Sequence, residues 1–129
     1  MPIKISQSVS PVILPIQLEL VSYIESYGNY VKIHSHDNAV SIKRTTLKAI
    51  LAELPREFFC RIHNRYIVNL SQIRSFHHSH NNGARITLKQ DPHIQLQVSR
   101  SYLSPFRKCY NQFIMYDIPF AKNDPGYCF

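Results

Sequence analysis

The run FFCRIHNRYIVNL, from Phe58 to Leu70, constrains this chain more than any other stretch. Phe58, Phe59, Ile62, Tyr66, Ile67, Val68 and Leu70 are apolar or aromatic and add stability only when buried, each by about 1.5–3 kcal/mol. Arg61, His63, Asn64, Arg65 and Asn69 are set among them, and polar groups of this kind need water or a partner. Such a segment anchors itself in a core and presents a polar edge outward. Arg and Asn also carry the forked geometry that reads guanine and adenine edges.

Around that run the chain alternates in short periods. Val21 to Ser26 reads as a strand, preceded by a bend near Pro15 to Glu19 and an earlier strand beginning near Val12; Ile3 and Ile5 suit a short edge strand. Gly28-Asn29 is a turn signal. After it Val31 and Ile33 face inward, against Tyr30, Lys32 and His34. His36-Asp37-Asn38 is the next turn, and Val40 and Ile42 then alternate with Ser41 and Lys43. Helical spacing first appears at Leu47, Ile50, Leu51 and Leu54, with Thr45 or Thr46 as N-cap and Pro55 as the stop. This helix is expected to pack rather than read a ligand. Ile73 and Phe76 close a further strand, and His77 to Gly83 reads as a polar loop. Arg85 to Lys89 and His93 to Ser99 form a hairpin around Asp91-Pro92. Ser104-Pro105 reads as the start of a second helix, with Phe106, Cys109, Tyr110 and Phe113 on its apolar face. From Tyr116 onward no period is visible, and Phe120, Tyr127 and Phe129 suit docking on the body or on a protein partner equally. The expected architecture is mainly β with two short helices.

Composition narrows the function. At 129 residues, with 44% hydrophobic and 12% aromatic side chains, the chain is one folded domain. No apolar run approaches the ~20 residues of a membrane span, and MPIKISQSVSPVILP makes a poor signal peptide. A cytoplasmic location follows. The formal charge is +7; between Phe58 and Lys108 eight basic residues face one acid, Asp91. That bias suits a polyanion.

Catalytic readings find little support. Three scattered glycines exclude a phosphate-cradling loop. Glu19, Glu25, Asp37, Glu53, Glu57 and Asp91 form no motif, and Cys60 near His63 sits in an apolar run where an inert thiol is expected. Cys60, Cys109 and Cys128 give no disulfide framework. His34-x-His36 and His77-His78-x-His80 are the only metal-like spacings, without nearby cysteines, and are read as solvated or structural. Neither an enzyme nor a cofactor is expected.

Four segments together carry a resemblance. Phe59, Arg61, His63, Asn64, Tyr66, Ile67, Val68 and Asn69 fall on the signature of the LytTR family of bacterial DNA-binding domains, with Arg65 in place of its usual serine. YIESYGNYVKI (Tyr23 to Ile33), TTLKAILAEL (Thr45 to Leu54) and VSRSYL (Val98 to Leu103) agree in order and spacing. The resemblance implies a stack of short antiparallel strands over residues 15–115, flanked by an N-terminal segment 1–14 and a tail 116–129. Family members usually carry a receiver or membrane domain ahead of this one, so a stand-alone domain without that input is expected.

The resemblance also implies transcription regulation. In the family, two protomers bind paired direct repeats and insert loops into successive major grooves of double-stranded DNA. Carried over, Asn29, in the first inserting loop, and Asn64 and Arg65, in the central one, contact bases. Arg100 joins them: from its residues alone, an arginine between Ser99 and Ser101 fits a strand-end salt bridge as well as guanine readout, and the resemblance favours readout. Lys32, Lys89, Ser99 and Ser101 are assigned to the DNA backbone. The competing classes are a protein-interaction module without DNA readout and a histidine-ligated metal sensor.

Overall fold

The computed structural model describes residues 18–79, 83–89 and 91–117. The strands expected near Ile3 and Val12, the segment 1–14, His80 and the tail beyond Asp117 lie outside these residues. Among the described residues, eight strands and two α-helices follow a short 3-10 turn at Leu18–Leu20. Strands β1 (Val21–Tyr27), β2 (Tyr30–Ser35), β3 (Val40–Lys43), β4 (Phe59–His63) and β5 (Tyr66–Asn69) form an antiparallel sheet in the order β3-β2-β1-β5-β4. Strands β6 (Ile73–His78), β7 (Ala84–Leu88) and β8 (Gln95–Val98) form a second sheet in chain order. Helix α1 spans Leu47–Leu51 and helix α2 spans Arg100–Asp117. The fold is mainly β with two helices, as expected.

The layers follow from strands that are apolar on both faces. In β5, consecutive Ile67 and Val68 are both fully buried, the mark of a strand covered on two sides. Ile67 joins Ile24, Val31 and Ile33 under α1, where Leu47, Ile50 and Leu54 close the core. Val68 joins Tyr23 and Ile62 on the opposite face, against Ile86, Leu96 and Val98 of the second sheet and Phe106 and Phe113 of α2. Thr46 caps α1, its Oγ1 accepting from the Ala49 N–H at 3.0 Å. The helix is shorter than expected: Ala52 already caps it, and Leu54 is buried from the turn that follows.

Two local expectations are corrected. His77 and His78 belong to β6, because pairing with Arg85 and Ala84 carries the ladder past Phe76; side-chain polarity marked only their exposed position. Helix α2 starts at Arg100, so Arg100 does not end the last strand, and it runs 18 residues through Tyr116 and Asp117. The Ser99 N–H donates to the Ile62 carbonyl, and the Ser99 carbonyl accepts from the Tyr102 N–H, each at 2.9 Å. These bonds begin the helix directly after β8 and leave Pro105 inside it. The proline deprives only the exposed Ser101 of its carbonyl's helical partner. In β3, Val40 and Ile42 are 51% and 57% exposed. Register sets them opposite His34 and Lys32, on the face away from α1, and the core that covers this face draws on β1, β4 and β5 but not on β3.

Candidate nucleic-acid interface

One end of the five-stranded sheet gathers most of the residues singled out above. The β1–β2 turn is Gly28-Asn29, with Gly28 at φ +61°, which fits a two-residue turn with glycine first. Asn29 is exposed at its tip. The β4–β5 turn is Asn64-Arg65, also exposed. Because β1 and β5 run antiparallel with Glu25 opposite Tyr66, the two turns project from the same end. The Ser26 N–H donates to the Arg65 carbonyl at 2.9 Å and ties them together.

The start of α2 completes the end. The bond from Ser99 to Ile62 sets it beside β4, and the Tyr102 hydroxyl donates to Asn64 Oδ1 at 3.3 Å. Arg100 and Ser101 are exposed on the first turn, and Ser99 is half-buried. Asn29, Asn64, Arg65, Ser99, Arg100 and Ser101 thus occupy one end of the molecule. Lys32 stands back along β2, its Nζ 4.0 Å from the centroid of the Tyr27 ring. Lys89 is not brought together with them. It follows β7, at the end of the second sheet opposite to the Ala84–Val98 pair that adjoins Ser99.

The turn that presents Asn64 and Arg65 is braced from below. Arg61 Nε donates to the His63 carbonyl at 3.2 Å and its Nη2 to the Asn64 carbonyl at 2.8 Å. His63 Nδ1 accepts from the Arg65 N–H at 3.1 Å. Arg61 and His63 are therefore positioning residues for the turn. Asn69 is internal to the fold: its Nδ2 donates to the Val21 carbonyl at 2.8 Å, and its Oδ1 accepts from the Ser71 N–H and hydroxyl.

On the outer face of the second sheet, outward alternation already makes Arg85 a candidate phosphate contact; Gln95, Gln97 and Tyr102 of α2 were passed over. Arg85 stands opposite Gln97 there, and Thr87 opposite Gln95. His63, Arg65, Tyr66, Arg85, Gln95 and Gln97 line a groove of about 640 Å3 between that face and the β4–β5 turn. The period-two alternation of Arg85-x-Thr87 and Gln95-x-Gln97 was the available signal; which turn faced it was not.

Other polar clusters lie elsewhere. Tyr23 stacks on His34 with ring centroids 4.2 Å apart, and His34 Nε2 lies 3.1 Å from Glu25 Oε1. Burial, then the nearby Glu25 carboxylate, pushes the Tyr23 phenol up to about 12. Burial likewise pushes the Cys60 thiol up, with the Cys109 thiol adding to it. Arg107 Nη2 hydrogen-bonds the His78 ring and joins α2 to β6. Among the described residues no three His, Cys, Asp or Glu side chains gather to hold a metal, and no helix is long and apolar enough to cross a membrane.

Residues 12–111 match the family model of the LytTr DNA-binding domain. Among solved structures, the chain is similar to the LytTr DNA-binding domain of a Bacillus cereus protein described as a methyl-accepting/DNA response regulator. The two are 21% identical with a TM-score of 0.68, covering 84% of this chain and 94% of that one. No curated protein gives a significant match. The matched span takes in most of the chain, and the chain belongs to the LytTR family of DNA-binding domains.

Proposed function

We infer that this domain is a transcription regulator that reads double-stranded DNA with the two turns and the helix start at one end of its larger sheet. The observation that carries the reading is the convergence there of Asn29, Asn64, Arg65 and Arg100, all exposed. Asn offers a bidentate match to adenine, and Arg one to guanine, in the major groove. Ser99, Ser101 and Lys32 are the adjoining groups for phosphate, which fix register without reading sequence. Lys89 lies too far along the second sheet to join that set. Two protomers on paired direct repeats, in the cytoplasm, complete the reading. No step of it calls for catalysis or a cofactor.

Selection from a random duplex library tests it. The expected result is enrichment of one paired motif, bound at least a thousandfold more tightly than bulk DNA, as specific binders are. Failure to enrich any motif, with residual binding that vanishes in moderate salt, leaves only the non-specific charge term and rejects the reading.

The exposed Val40 and Ile42 on edge strand β3 favour a second role beside the first, as a protein contact. Val40→Ser with Ile42→Ser would weaken such a contact while leaving the charge beside Lys32, and with it duplex binding, unchanged.

A further inference from the structure

Strand β4 is an edge of the five-stranded sheet, and an open edge in a stable fold is usually covered or blunted. Here α1 and the turn after it flank β4 on one side and α2 on the other, leaving a cleft of about 520 Å3. That volume lies in the range of small-molecule sites. Leu51, Phe59, Tyr102 and Pro105 give it an apolar wall. Lys48, Arg56 and Arg61 supply three cations, and no Asp or Glu lines it. A bare inorganic anion would leave the wall uncovered, and a neutral apolar molecule would leave the cations without a counter-charge. The complement is an anion with an apolar body.

We propose that this cleft binds an amphipathic organic anion of medium-chain carboxylate type, and that its occupancy loosens the Asn64-Arg65 turn. Arg61 links the two. Its guanidinium holds the His63 and Asn64 carbonyls and lies 5.9 Å from the centroid of the Tyr102 ring, while the Tyr102 hydroxyl holds Asn64 Oδ1. A carboxylate in the cleft draws Arg61 toward itself, since a charged acceptor outcompetes a neutral carbonyl. The consequence for DNA rests on the reading of Asn64 and Arg65 given above; binding in the cleft does not.

The test is a protein-observed NMR titration of the full chain without DNA, so that its failure is separate from failure of the DNA reading. Octanoate is the probe, used below its aggregation threshold, with acetate and octan-1-ol as controls for charge and apolar body. Saturable shifts are expected at the amides of Leu51, Phe59 and Tyr102, with acetate and octanol at least tenfold weaker. Shortening the chain to hexanoate should weaken binding roughly two- to fourfold per methylene removed. Lys48→Ala with Arg56→Ala, both at exposed positions, should weaken octanoate at least tenfold without unfolding the domain. The Arg65 amide, now bonded to His63 Nδ1, should exchange with solvent faster when the cleft is filled. Absence of saturable shifts, equal binding of octanol and octanoate, or indifference to the double substitution overturns the site. Unchanged exchange at Arg65 overturns the coupling.

Discussion

Asn69 shows how one residue ties two neighbouring strands to the turn that follows them. Fully buried, it satisfies the Val21 carbonyl across β1 and starts the turn at Ser71. Asn69→Ala leaves buried groups unpaired and should cost about 1–3 kcal/mol in urea denaturation, with no direct effect on DNA contacts. Tyr23 makes a different claim. Its phenol is raised from about 10 to about 12, so the fold favours the neutral form. That stabilisation is whole below pH 10, where the unfolded chain also keeps its proton, and is lost as pH rises from 10 through 12. The denaturation midpoint should therefore fall across this window, by an amount on the order of 2 kcal/mol. In Tyr23→Phe the fall should be smaller; an unchanged alkaline profile would remove Tyr23 from the account.

At the scale of elements, legibility followed the physics of each signal. Strands β1 to β3 and β6 to β8 were legible because alternation reports burial face by face, whereas the run holding β4 and β5 was legible as buried but not as two strands. The loop at Asn64-Arg65 came from the family resemblance; the residues themselves marked only a polar edge within an apolar run. The start of α2 was not: Ser104-Pro105 carries a strong local signal, whereas the Ser99 bond to Ile62 is a tertiary contact that sequence does not display. The exposure of Val40 and Ile42 was hidden for the same reason, since register rather than hydropathy chose their face. Gly83 ties an element to the site. A Cβ there would lie 2.7 Å from the Val98 carbonyl oxygen, next to the residue that seats α2. Gly83→Ala must displace backbone, so it should destabilise by about 1–3 kcal/mol. It should also shift the amides of Ser99 and Arg100 in NMR spectra; a silent substitution would mean the β7–β8 junction does not set the position of α2.

For the whole molecule, a charge of +7 attracts any duplex, and only geometry at one end can turn attraction into choice. Lys32→Ala should weaken all sequences alike and reduce the salt slope by about 1, whereas Lys89→Ala, at the far end of the second sheet, should leave the slope unchanged. The central claim is that Arg100 reads a base, and a cycle between protein and DNA tests it most directly. A selected duplex would be titrated against wild type and Arg100→Ala, with each guanine in turn replaced by 7-deazaguanine, which pairs normally but lacks the N7 acceptor. The account predicts one guanine per half-site where replacement costs wild type about 1–3 kcal/mol and costs Arg100→Ala nothing further. Losses that simply add at every guanine would show that Arg100 supplies charge rather than readout, and would contradict the account.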